Sequence, residues 1–190
     1  VTEARAARGE FSDALLYGER GGLPPEGFDF GNSPRTVDAA RGRRVIFTTT
    51  TGAGRLVDCW GAEAAYMGST VNAAAVVRAA ARHEKDVVLI PAGLMSDPGF
   101  NAQEDWVAAV VIAMRAGGAL GEGAGAFCAW RERIEHEGIE SLFQTAPHAL
   151  KLRRVGLGDD ITFCAQVDIT TAVPRAVLRH PLGVILRDGR

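Results

Sequence analysis

Two hydroxyl-rich turns are the first residues in this sequence that could do chemistry. Thr48-Thr49-Thr50-Thr51-Gly52 lies where a β-branched, apolar run gives way to a helical pattern. Helix-start N–H groups, threonine hydroxyls and a glycine that admits close backbone approach together suit a phosphate. The same residues also read as a strand end followed by a hydroxyl-capped helix. No GxxxxGK[ST] run is present, so this is not a Walker loop. Gly68-Ser69-Thr70-Val71-Asn72 repeats the arrangement one unit later. There Ser69 offers a donor, and Asn72 is either a site residue or a helix cap. Two such turns after successive strands point to one shared anion pocket. Within it Thr50 and Asn72 are the candidate catalytic groups, and Thr49, Thr51, Gly52 and Ser69 are phosphate contacts.

Carboxylates come next. Glu104-Asp105 immediately precedes the apolar run Trp106 to Val110. Neighbouring positions on a helix point about 100° apart, so one of the two would face a site. Magnesium is held by one or two carboxylates together with waters and substrate phosphate oxygens, which makes this pair a candidate metal site. The plainer reading is a pair of dipole partners in a first turn. Asp159-Asp160 is a second pair, with a helix-cap reading beside it. Glu19-Arg20, Asn32 and Arg35 sit in or beside a Gly/Pro-rich loop and offer anion contacts, the arginines through their forked donors. His83, His136, His148 and His180 show no metal spacing and read as surface or satisfied side chains. Cys59, Cys128 and Cys164 are isolated, with no CxxC pair and no GxSxG elbow anywhere. That argues against zinc, a disulfide framework and a serine triad, and for a reducing cytoplasm.

The elements that must position these groups alternate. Thr2 to Tyr17 has a helical pattern, with Ala4, Ala7, Phe11, Leu15 and Leu16 near one face. Gly21-Gly22-Leu23-Pro24-Pro25 then breaks the chain. Val45 to Thr49 reads as a strand, Gly52 to Cys59 as a short helix, Ala64 to Met67 as a weak strand and Asn72 to His83 as a helix. Asp86 to Ile90 reads as a buried strand, Pro91 to Asn101 as a loop and Gln103 to Ala116 as a helix. Helical stretches follow at Phe127 to Glu137, Ile139 to Phe143 and from Pro147 to near Gly156. Ile161 to Val173 is a strand or a short helix. Strands alternating with helices predict an α/β fold, a layered, largely parallel or mixed sheet with flanking helices.

Apolar residues are 47% and charged residues 23% of the 190, the balance of a globular chain forming a single domain. A net charge of −2 lacks the basic footprint of a nucleic-acid binder. No apolar run approaches the ~20 residues of a membrane span. Neither nucleic acid nor membrane is therefore an expected partner.

Five segments, in this order, resemble the 2-phosphosulfolactate phosphatase family of coenzyme M biosynthesis. They are GERGGLPPEGFDFGNSP (Gly18 to Pro34), VIFTTTTGAG (Val45 to Gly54), GSTVNAAAV (Gly68 to Val76), VVLIPAG with QEDWVAA (Val87 to Ala109), and GLGDDITFCAQVD with VP (Gly156 to Pro174). The resemblance implies a magnesium-dependent α/β hydrolase that cleaves a small-molecule phosphate ester of sulfolactate. Carried over position by position, it marks Asn32, Thr50, Gly52, Asn72, Glu104 and Asp105, with Arg20 beside them. The family opens with a strand of Asp-Val-Leu-Arg-Ala-Thr type, and its Asn-Gly after the threonines is Thr51-Gly52 here. The expectation is thus a family domain lacking its N-terminal strand, with an exposed sheet edge that favours self-association into a homo-oligomer. The alternative is a non-catalytic anion-binding or oligomer-forming remnant of that family.

Overall fold

The computed structural model describes residues 1–93, 97 and 99–190. A first helix, α1 (Thr2–Glu10), leads into strand β1 (Leu15–Gly18). A loop and a 3-10 segment (Pro34–Ala40) carry the chain to β2 (Val45–Thr48). β2 lies parallel to β1, with Leu15 opposite Val45 and Gly18 opposite Thr48. Helix α2 (Gly52–Asp58) follows directly. After a 3-10 turn (Thr70–Asn72) come α3 (Ala73–Ala81) and α4 (Gln103–Ala116). Four more helices close the middle: α5 (Ala124–Glu137), α6 (Ile139–Thr145), α7 (Pro147–Arg154) and α8 (Gly158–Cys164). An antiparallel hairpin, β3 (Pro174–His180) with β4 (Gly183–Asp188), ends the chain. The fold is thus mixed α/β, with a parallel and an antiparallel strand pair beside packed helices.

The main core is helical. Ala73 from α3, Val107, Val111 and Ile112 from α4 and Leu142 from α6 are buried together. Trp130 and Ile134 of α5, with Leu89, pack against them. Val107 and Leu142 are fully enclosed. Burying such side chains contributes roughly 1.5–3 kcal/mol each. This core fixes the first turn of α4, and Ala146, Ala149 and Ile161 fix α7 against α8 in a second cluster.

Three expectations change. The predicted helix over 2–17 stops at Glu10, and Leu15 to Gly18 is a strand. Ala14 and the adjacent Leu16 and Tyr17 are all buried, with Leu15 half-buried between them, rather than forming a one-sided stripe, and the Leu16 N–H donates to Asp29 Oδ2 at 2.7 Å. The run over 86–90 joins no sheet among the described residues, and Val87, Val88 and Ile90 are exposed while Leu89 packs on the core. An apolar segment becomes a strand only where another edge takes its N–H and C=O groups, and no described strand does so here. Residues 64–67 make a single bridge, Tyr66 to Arg175, backed by Met67 N–H to Pro174 O at 2.9 Å. The open question over 161–173 resolves as the end of α8 followed by irregular chain. Of the loop expected over 91–101, residues 94–96 and 98 lie outside the described residues.

Candidate functional site

Parallel β1 and β2 end side by side, and ligands in α/β folds gather at such carboxyl ends. The residue after β1 is Glu19, and the residues after β2 are Thr49 and Thr50. Thr50 donates its hydroxyl proton to Glu19 Oε1 at 2.6 Å. Glu19 Oε2 accepts the Gly22 N–H at 3.0 Å. Burial works to raise the Glu19 pKa, but the Thr50 and Gly22 donors and the Lys151 charge outweigh it and hold the carboxyl below its usual range. Glu19 is therefore a fixed anion, and the Thr50 oxygen is left with its lone pairs.

Two further elements bring charge to the same place. The first turn of α4 carries Glu104 and Asp105. The first turn of α7, opened by Pro147, carries His148, with Lys151 three residues on and so on the same face. Glu104 Oε1 stands 3.6 Å from His148 Nδ1, an ion-pair separation long for a direct hydrogen bond. The Glu104 carboxylate raises the His148 pKa, against burial and Lys151, and the Glu19 charge adds to the rise. Asp105 Oδ2 accepts the Gly93 N–H at 2.9 Å. Burial nonetheless pushes the Asp105 pKa up, and neighbouring Glu104 adds to this. Glu19, Thr50, Glu104, Asp105, His148 and Lys151 thus form one electrostatically coupled group drawn from four elements.

Two buried oxygens near these elements have no hydrogen-bond partner among the described residues, Glu104 Oε2 and Asn32 Oδ1. An orphaned buried oxygen is costly unless something satisfies it. Among the described residues, no set of three or more His, Cys, Asp or Glu side chains is gathered as a metal site. The donors that are present still fit magnesium, which takes hard oxygens and completes its shell from waters and phosphate.

The other sequence candidates fall into structural places. Thr49 Oγ1 accepts the Ala53 N–H at 3.1 Å and so caps α2. Thr51, only 7% exposed, gives its carbonyl to the Arg55 N–H at 3.1 Å, and Gly52 opens α2 beside it. Among the described residues, no hydrogen bond joins the second turn to the first. Asn72, 5% exposed, accepts from the Ser69 N–H at 2.8 Å and donates to Met67 O at 3.2 Å and Ala172 O at 3.0 Å. Ser69 Oγ also donates to it, at 3.2 Å. These bonds engage the whole Asn72 amide within the fold. Arg20 is exposed and turns back on the Glu19 carbonyl. Arg35 pairs with Asp159 at 2.7 Å, and Ser33 donates to buried Asp160 at 2.8 Å, so the second acidic pair ties α8 to the loop.

The sequence reading missed the weight of Glu19, His148 and Lys151. A strand assigned over 15–18 would have placed Glu19 at a strand end. The i, i+3 spacing of His148 and Lys151 behind a helix-opening proline was the other available signal.

Comparison with known proteins adds relatives to this geometry. A family model described as 2-phosphosulpholactate phosphatase matches residues 1–178. A probable 2-phosphosulfolactate phosphatase of Carboxydothermus hydrogenoformans is 30% identical, over 95% of this chain and 75% of the relative. Proteins of the same description from Gloeobacter violaceus and Deinococcus radiodurans are 35% and 36% identical. Those matches cover 90% and 93% of this chain and 72% and 75% of the relatives, respectively.

Proposed function

The chain belongs to the 2-phosphosulfolactate phosphatase family, and from that membership we propose that it is a magnesium-dependent phosphatase acting on 2-phosphosulfolactate or a similarly small, acidic phosphate ester. The observation that carries the reading is the meeting of a carboxylate pair, a raised-pKa histidine and a lysine at the carboxyl ends of two parallel strands.

Glu104 and Asp105 would hold the magnesium, Glu104 through its unpartnered Oε2. Bound there, the metal would supply Lewis-acid neutralisation of phosphate charge. The chain's own groups do the rest. Lys151 and the protonated His148 give the phosphate a cationic wall. His148, facing Glu104 across the site, donates its proton to the leaving alkoxide oxygen. Thr50, its hydrogen committed to Glu19, accepts a hydrogen bond from the attacking water and aims it at phosphorus. No helix among the described residues is long and apolar enough to cross a membrane. The thiols of Cys59, Cys128 and Cys164 are free, which fits action in a reducing cytoplasm.

The test is phosphate release from 2-phosphosulfolactate, with magnesium and with a chelator, by the wild type and by His148→Gln. Magnesium-dependent release that drops roughly 10²–10⁴-fold in His148→Gln is expected, because that is the usual contribution of a general acid. Release that persists undiminished in the chelator removes the metal from the reading, and an unimpaired His148→Gln removes the acid.

A further inference from the structure

A second anion must be recognised somewhere if the substrate is an acidic phosphate ester. Of the arginines beside the loop, Arg20 turns onto its neighbour's carbonyl and Arg35 pairs with Asp159. A cavity of about 200 Å³ lies between the starts of α2 and α4, lined by Arg55, Pro91, Gly93, Asp97, Phe100 and Trp106 among others. Both flanking elements belong to the site already described. Arg55 follows Thr51 by one turn and donates its N–H to the Thr51 carbonyl. Gly93 lines the cavity while its N–H holds Asp105 Oδ2 at 2.9 Å. Trp106 is the next residue after Asp105.

Arg55 is half-buried, and its Nε donates to the Ala92 carbonyl at 3.1 Å, which fixes the guanidinium plane. No described residue accepts from its two terminal nitrogens. A fixed fork with open donors suits a planar or tetrahedral oxyanion. Asp97 also borders the cavity, but it is exposed and its Oδ1 is held by the Gly99 N–H at 3.0 Å. The half-buried Phe100 and Trp106 supply apolar walls that suit a short carbon arm. We infer that Arg55 and this aromatic-walled cavity form the subsite for the substrate's second oxyanion, a sulfonate or carboxylate one short arm away from the phosphate at Asp105 and Thr50. The inference rests on the phosphatase reading, which places the phosphate.

The experiment compares Arg55→Gln and Arg55→Lys with the wild type on two esters, 2-phosphosulfolactate and p-nitrophenyl phosphate, the latter lacking a second anion. The wild type should prefer the first ester in kcat/KM. Arg55→Gln should shrink that preference roughly 10- to 100-fold, the scale of a hydrogen bond to a charged group. Arg55→Lys, which keeps the charge without the fork, should restore part of it. A preference ratio that stays at the wild-type value in Arg55→Gln overturns the subsite while leaving the phosphatase reading in place. Should Arg55→Gln fail to fold, Arg55→Lys decides on the same ratio. A parallel arm follows 3-sulfolactate binding by calorimetry and by Trp106 fluorescence. If the wild type hydrolyses neither ester, loss of sulfolactate binding in Arg55→Gln still upholds the subsite, and binding that is absent or unaltered overturns it.

Discussion

Glu19 shows how a single residue organises this site. In the sequence it stands beside Arg20, and arginine, with its forked donors, is the more familiar anion reader. The structure reverses the order. Glu19 is half-buried between the Thr50 hydroxyl and the Gly22 N–H, both donors, so an ionised carboxylate is what the position requires. Glutamine keeps the shape but would set an NH₂ against one of those donors. Glu19→Gln should therefore slow phosphate release by roughly 10- to 100-fold, the scale of one hydrogen bond to a charged group. It should also lower the His148 pKa, because the Glu19 charge helps to raise it. Titrating the His148 ring by NMR in wild type and variant checks the second effect directly. An imidazole that titrates identically in both proteins would break the link between β1 and α7.

At the scale of elements, Asn72 draws a different consequence from a residue that the sequence marked for catalysis. Its amide joins the Ser69 backbone, Met67 and Ala172, which stand on either side of the α3 start. Asn72→Ala leaves buried donors and acceptors without partners, and each such loss costs about 1–3 kcal/mol. Urea unfolding should show a lower midpoint with an unchanged slope, and normal stability would mean that these bonds are replaceable. The sequence signalled a helix cap and an anion contact equally well here, since both use a small polar side chain before a helix. Helices α2, α4, α5, α6 and α7 were legible because their ends are marked by glycine or proline, and α4 and α5 also because they are long. The segment over 86–90 was not. Its four apolar residues describe what a buried strand needs, but pairing depends on a neighbour that local pattern does not encode. The hairpin β3–β4 escaped for the opposite reason. Its strands are rich in arginine and half-exposed, so alternation is weak even though the pairing is nearly continuous.

Across the whole molecule, carboxylates tie distant parts together, and their shifts set how the fold responds to acid. Asp29 is held below its usual pKa by the Leu16 N–H and by Arg8, binding a loop to β1. For Asp168, burial works upward, but the Ala74 N–H and Arg115 outweigh it, joining the start of α3 to the end of α4. Asp188 is lowered by Arg190 at the end of β4, and Glu19 is lowered at the site. A carboxyl whose folded pKa lies below its unfolded value adds stability above the unfolded value and loses it as pH falls through the folded one. The four together predict a fold that weakens progressively below about pH 4, the ordinary carboxyl range. Asp105 and His148 run the other way. Their raised values favour the folded state at low pH, and that contribution fades as pH rises through them. Asp105 therefore blunts the acid limb without reversing it, whereas the His148 contribution is already complete below the ordinary histidine range and falls away only above it. Asp168→Asn keeps an acceptor for the Ala74 N–H but removes the charge opposite Arg115. The variant should be less stable than the wild type at pH 7 and should lose less on acidification. Urea midpoints taken from pH 7 to pH 3 measure both quantities. If the two proteins lose stability in parallel over that range, the Asp168 carboxylate does not contribute to the acid response and the clamp between α3 and α4 is steric alone.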